Sequence, residues 1–192
     1  MYTGSGDAFL IGNDLELDII TLYADDLTAG FTILQISKLL KKAYPYINKK
    51  SNEFISEGIF RKTVVGKSYL CRLNLASNQT RILLALIEMK KLESRLIQDP
   101  KTEALISELK LLRQDLGILS AVEIDKQIVI IGENLSPYEI QNKAPLLASM
   151  NFSIATQNEF RRILSKKSAS QVFLGFEIYF TLAAEALEGS QR

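Results

Sequence analysis

The sequence predicts an α+β protein: three short helices and a β-hairpin, then long linking helices, then a small C-terminal α/β half. Three observations predict this. Apolar residues recur at helical spacing up to about Glu57, and two short extended runs follow at once. Two long periodic stretches then meet at Asp99-Pro100, where proline breaks a helix. After Gly117 the hydrophobic period shifts from helical to extended. The expected division is 1–98 and 99–192, with the long helix before Asp99 as the link.

Leu15 to Leu27 reads as a helix with Leu15, Ile19, Leu22 and Tyr23 inward. Thr32 is a good N-cap for a second helix, and Gln35 completes a capping-box pattern; Ile33, Ile36, Leu39 and Leu40 form the expected buried stripe. Tyr44-Pro45 ends that helix and suits the first turn of a third, from Pro45 to Glu57, with Ile47, Phe54 and Ile55 inward and Gly58 as its stop. Phe60 to Val65 and Ser68 to Leu73, joined at Gly66-Lys67, read as a hairpin. Helices are expected over Gln79 to Gln98 and Thr102 to Leu116. Strands are expected at Ile118 to Ile124, Gln127 to Ile131 and Phe152 to Ile154. Pro137 to Leu147 reads as helix or loop. Thr156 and Glu159 form a second capping box, for a helix ending near Leu164. Ser168 to Gln171 reads as a loop, and Gly175 to Leu187 as a closing helix.

The 192 residues are 47% hydrophobic and 23% charged, which excludes wholesale disorder. There is one cysteine and no histidine. An intramolecular disulfide, a multi-cysteine zinc site, histidine-ligated metals and histidine-based triads are therefore excluded. No apolar run approaches a membrane span, and Met1 to Asp7 lacks the basic start and apolar stretch of a secretory signal. A cytoplasmic protein without a membrane partner is expected. Gly4-Ser5-Gly6 precedes no strand–helix unit and reads as a chain end rather than a phosphate loop. Glu123 and Asp125 alternate on a strand without a third metal ligand, Cys71 reads as a small core residue, and Phe173, Phe176, Tyr179 and Phe180 read as core or dimer contact.

Charge carries the functional signal. From Lys38 to Arg72 nine basic residues face two acidic ones, a net of +7, which leaves −6 on the rest of a chain totalling +1. Such a stretch points to a polyanionic partner. Helix, helix, turn, helix, hairpin is the order of a winged helix-turn-helix, whose third helix enters the major groove while the hairpin reaches adjacent backbone or minor groove. The expected duplex-DNA contacts are Lys38, Lys42, Tyr46, Asn48, Lys49, Lys50 and Asn52 from the helices, with Ser51 and Glu53 also outward. Arg61, Lys62, Lys67 and Arg72 are expected from the hairpin. Asn and Lys suit base edges, and the hairpin cations suit phosphates.

Gly30-Phe31-Thr32-Ile33-Leu34-Gln35-Ile36-Ser37, Tyr44-Pro45-Tyr46-Ile47-Asn48, Glu57-Gly58-Ile59-Phe60, Val65-Gly66-Lys67-Ser68-Tyr69 and Leu73-Asn74-Leu75 resemble archaeal winged-helix regulators, over Leu15 to Lys91. That resemblance implies a DNA-binding transcriptional regulator. In the C-terminal half, Ile128-Val129-Ile130-Ile131-Gly132, Phe152-Ser153-Ile154-Ala155-Thr156 with Glu159-Phe160, and Phe173-Leu174-Gly175-Phe176-Glu177 resemble a small prokaryotic nucleotidyltransferase-type domain. An active member carries a Gly-Ser turn and two aspartates one residue apart. Here Glu133 follows Gly132, and no Asp occurs from Lys126 to Arg192. Two-metal chemistry needs such carboxylates. The resemblance therefore implies a degenerate domain for assembly or sensing, with no catalytic residue and no metal or cofactor. The rival readings are an active nucleotidyltransferase with a nucleic-acid-targeting module, and a winged helix that docks protein. A homodimer is expected through Leu105, Leu109, Leu112 and Leu116, spaced like a heptad seam, and through Ile82, Leu86, Met89 and Leu96; the alternative is that both seams pack within one chain, against the winged helix and the C-terminal sheet.

Overall fold

A computed structural model describes residues 14–66, 68–166 and 169–189. Helix α1 (Asp14–Ala24) buries Leu15, Leu17, Ile19, Ile20 and Tyr23, so apolar residues on more than one stripe are covered. The two-residue strand β1 (Gly30–Phe31) leads into α2 (Ile33–Leu40). Thr32 caps α2: its hydroxyl accepts from the Gln35 amide at 3.2 Å, and the Gln35 side chain accepts from the Thr32 amide at 2.8 Å. Ile33 and Ile36 are buried, but Leu39 is 54% exposed, because the stripe turns toward Ser37, whose hydroxyl donates to the Lys42 carbonyl at 2.7 Å. Helix α3 (Tyr44–Ser56) has proline in its first turn and packs Ile47, Ser51 and Phe54 inward. Its successor, the hairpin of β2 (Phe60–Val65) and β3 (Ser68–Leu73), has the expected bounds.

Strand β1 adds to the hairpin, giving an antiparallel sheet in the order β1-β3-β2. Tyr23 ties α1 to it, donating to the Cys71 carbonyl at 3.0 Å, and its ring meets Phe31 and Phe60. Burial pushes the Cys71 thiol up to about 11.

The long α4 (Asn78–Gln98) follows. Asp99 then caps α5 (Pro100–Leu116), accepting from the Lys101 amide at 3.0 Å. Strands β4 (Ser120–Ile124) and β5 (Gln127–Ile131) form a hairpin whose two turn residues, Asp125 and Lys126, both have positive φ. That geometry belongs to a tight turn matched to strand twist. Short helices α6 (Pro137–Lys143) and α7 (Pro145–Ala148) precede β6 (Phe152–Ala155), which pairs parallel to β5. Helix α8 (Gln157–Leu164) carries the Thr156–Glu159 capping box. Strand β7 (Gln171–Leu174) pairs antiparallel to β4, where a loop was expected up to Gln171, and α9 (Phe176–Gly189) closes the described chain. Gly175 joins them at φ +70°, and a Cβ there would sit 2.2 Å from the Leu119 carbonyl oxygen. Only glycine fits.

The second sheet runs β6-β5-β4-β7 and alternates its two faces. Val122, Ile124, Val129, Ile131 and Val172 join one core with α1, α4, α8, α9 and the first sheet; Ala121, Ile128, Ile130 and Phe173 join a second core. That second core also holds Leu105, Leu109 and Leu112 of α5. The seam expected between two chains is therefore covered within one chain. On α4, Ile82, Met89 and Ile97 stay exposed, while Leu86 packs against the first core.

Candidate nucleic-acid interface

Helix α3 has three kinds of surface. Ile47, Ser51 and Phe54 face inward at spacings of four and three. Ser51, expected outside, is fully buried, and its hydroxyl has no hydrogen-bond partner among the described residues. Tyr46, Lys49, Asn52 and Ser56 form the open stripe, with Tyr46 56% exposed. Asn48 and Lys50 lie half-buried on the flanks.

Lys50 departs most from expectation. Its ammonium reaches Glu16 of α1 at 2.8 Å and Glu53 at 2.6 Å. Hydrogen bonds to Glu16 and then Glu53 hold it well above the usual lysine range, and the Glu53 carboxyl is lowered in return. Lys50 is thus a clamp between α1 and α3 rather than a cation open to phosphate. Glu53, expected outward, is half-buried as part of that clamp. Asn52 donates to the Asn48 carbonyl at 2.8 Å and to its Oδ1 at 3.2 Å. The amides of both residues are therefore held on one side of α3.

The hairpin register sorts the remaining cations. Lys62 pairs with Cys71, and Arg61 with Arg72. Side chains alternate, so Lys62, Val64, Tyr69 and Cys71 share the face toward α3, and Arg61 and Arg72 share the opposite one. On the first face Lys62 lies 4.1 Å from the centre of the Tyr69 ring, a cation–π contact, and the Tyr69 hydroxyl donates to Asn52 Oδ1 at 3.4 Å. On the second, Arg61 Nε donates to Asn74 Oδ1 at 2.8 Å, and Arg72 Nη1 donates to the Thr28 carbonyl at 3.4 Å. These arginines line a small cleft with Leu27, Thr28 and Leu187, behind the hairpin as seen from α3. The expected set is therefore brought together only in part. Lys49, Asn52, Tyr46 and Lys62 converge, Lys38 and Lys42 are exposed at the end of α2, and Arg61 and Arg72 face away. Lys67 and Gly4-Ser5-Gly6 lie outside the described residues.

Sequence reasoning missed Tyr69, although period-two alternation with Cys71 and Leu73 puts it on the α3 face. It also missed a groove of about 260 Å³ between α2, α3 and β3, lined by Thr32, Ile33, Leu34, Tyr44, Ser68 and Tyr69. Leu34, Tyr44, Tyr46, Val64 and Val65 are exposed on these same elements.

In the C-terminal half, Glu133 Oε1 accepts from the Gln157 amide at 3.3 Å, and Glu123 is ion-paired with Arg95. Among the described residues no three Asp, Glu or Cys side chains gather to hold a metal, and no helix is long and apolar enough to cross a membrane. No known family model matches the chain, and neither the curated proteins nor the solved structures provide a significant match.

Proposed function

We propose that the chain is a transcriptional regulator that binds duplex DNA. In this reading α1 to α3 and the β1-β3-β2 sheet act as a winged helix-turn-helix, and the C-terminal half, 99–192, serves assembly or sensing. The observation that carries the reading is the open stripe of Tyr46, Lys49 and Asn52, linked to the hairpin through Tyr69 and continued by Lys62. One helix face and one hairpin face then present cations and amides together, as groove reading with backbone contact requires. Lys38 and Lys42 extend the basic surface.

The test is selection of bound duplexes from a random pool, followed by mobility-shift titration at several salt concentrations. Binding that weakens steeply with salt is expected. Salt-independent binding, or none at low salt, overturns the reading. Asn52→Ala is expected to change sequence preference more than affinity.

A second reading has its own observation. The exposed Leu34, Tyr44, Tyr46, Val64 and Val65 are apolar surface beside the cations, and they suit a protein-docking winged helix. Such docking predicts a shallow salt dependence. For the C-terminal half no nucleotidyl transfer is expected. Transfer of label from nucleoside triphosphates with Mg²⁺, lost in Glu133→Gln, would promote the enzyme reading.

A further inference from the structure

We propose that the C-terminal sheet carries a binding site for a small organic anion, in the cleft between the β4–β5 turn, β6 and the end of α8. The cleft has a volume of about 420 Å³, within the range of small-molecule sites.

Its origin is geometric. Register pairs Ile124 with Gln127, and Val129 with Ser153, so these four side chains lie on the face that α8 covers. Helix α8 has eight residues and seals that face with Phe160 and Leu164. At and just beyond its last turn, Ile163 and Lys166 border the cleft by the β4–β5 turn. Ile124, Val129 and Ile163 supply an apolar floor and wall for the body of a ligand.

The polar groups converge with one preference. Arg162 and Lys166, one helical turn apart, line the cleft, and among the described residues neither side chain makes a hydrogen bond or a salt bridge. The acid of α8, Glu159, accepts from the Thr156 amide and hydroxyl and also feels the charge of Arg162. Asn151 accepts from Gln127 Nε2 at 3.2 Å through its Oδ1, which leaves its own NH₂ as a donor. The Ser153 hydroxyl has no partner among the described residues. Asp125, on the turn, is the one acid among the described residues of the lining, and it has an interaction of its own. Among the described residues, two cations and two neutral donors against one carboxylate favour a carboxylate or a phosphate monoester attached to an apolar or planar body.

The inference does not depend on the DNA reading, and its test uses no DNA. Amide NMR shifts of the full chain are followed during titration with benzoate, phenyl phosphate and the neutral benzyl alcohol. Saturable shifts at Val129, Ser153 and Ile163 are expected with the anions and not with the alcohol. The stronger of the two anions tells a carboxylate ligand from a phosphate ester. Arg162→Gln with Lys166→Gln is expected to weaken anion binding at least about tenfold, as loss of charge-assisted bonds should. Both side chains also sit at a helix C-terminus, where cations stabilise the helix. A purely structural role predicts a lower Tm with unchanged anion affinity. Ser153→Ala, which leaves the helix alone, is expected to weaken binding without shifting Tm. No saturation by about 10 mM, equal shifts from the alcohol, or unchanged affinity in the double variant overturns the proposal.

Discussion

Lys49 and Lys50 are adjacent in sequence and are expected to behave oppositely on DNA. Lys49 lies on the open stripe of α3, while Lys50 is neutralised by Glu16 and Glu53. Each phosphate contact contributes roughly 0.9 to the slope of log affinity against log salt. If Lys38, Lys42, Lys49 and Lys62 each make one contact, the slope is about −3.6, and affinity falls roughly 150-fold between about 50 and 200 mM salt. Lys49→Ala brings the slope to about −2.7 and that fall to roughly 40-fold. Lys50→Ala is expected to leave the slope within experimental error and to loosen α1 against α3, lowering Tm instead. Mobility-shift or anisotropy titrations at four salt concentrations decide between these outcomes, with circular dichroism confirming folded variants. An equal drop in slope for both variants refutes the clamp. An unchanged slope in folded Lys49→Ala refutes the placement of α3 on DNA.

Leu109→Ala is expected to cost about 2–5 kcal/mol, because Leu109 is fully buried in the second core; thermal unfolding reads this, and sedimentation equilibrium should show no change of mass. Should the wild type sediment as a dimer, Met89→Glu with Ile97→Glu is expected to dissociate it while keeping helicity, since both lie on the exposed face of α4. Thr156→Ala is expected to cost about 1 kcal/mol through loss of the α8 cap. The same cap lowers the Glu159 carboxyl, so its stabilisation is present above the ordinary Glu range and is lost as pH falls through the lowered value. Cys71 is expected to resist thiol reagents at pH 8 until the chain unfolds. Its raised thiol pKa means that stability declines between the unfolded value near 9 and the folded value of about 11, which denaturant titrations across that window would show.

What was legible in the sequence was local. Two capping boxes, the Gly66 turn and the prolines at Tyr44-Pro45 and Asp99-Pro100 each act over about four residues, and the helices and the first hairpin follow from them. Non-local pairing was not legible. Strand β1 is two residues long and exists only because Gly30 and Phe31 meet Arg72 and Cys71 of β3. Strand β7 sits beside β4 across some fifty residues of chain, so nothing near Gln171 announces it. The Lys50 clamp depends on Glu16, 34 residues away, and reads from the helix alone as an exposed charge. A heptad-like spacing records that one side of α5 is apolar, not what covers it. The chain's own sheet does so here. The division of the hairpin cations is different. Alternation alone separates Lys62 from Arg61 and Arg72, so treating them as one surface overlooked a signal that was present.

Helix α4 gives the two sheets a common mechanical element. Near its start, the Thr80 hydroxyl donates to the Ile59 carbonyl at 3.2 Å, which fixes α4 to the entry of the hairpin. Midway, the buried Glu88 accepts from the Val172 amide of β7 at 3.1 Å and pairs with Lys91 at 3.0 Å. Lys91 in turn reaches Asp25, at the end of α1, at 2.9 Å. Near its finish, Arg95 pairs with Glu123 of β4 and lies over the Phe173 ring. A buried carboxylate left with only half of these partners would cost several kcal/mol, so Glu88 is stable only while β7 and α4 keep their present spacing. The Glu123 that holds Arg95 is two residues from Asp125, at the rim of the proposed anion cleft. Glu123, Arg95, Glu88 and Thr80 thus tie the β4–β5 hairpin, β7 and the entry of the first hairpin to one helix.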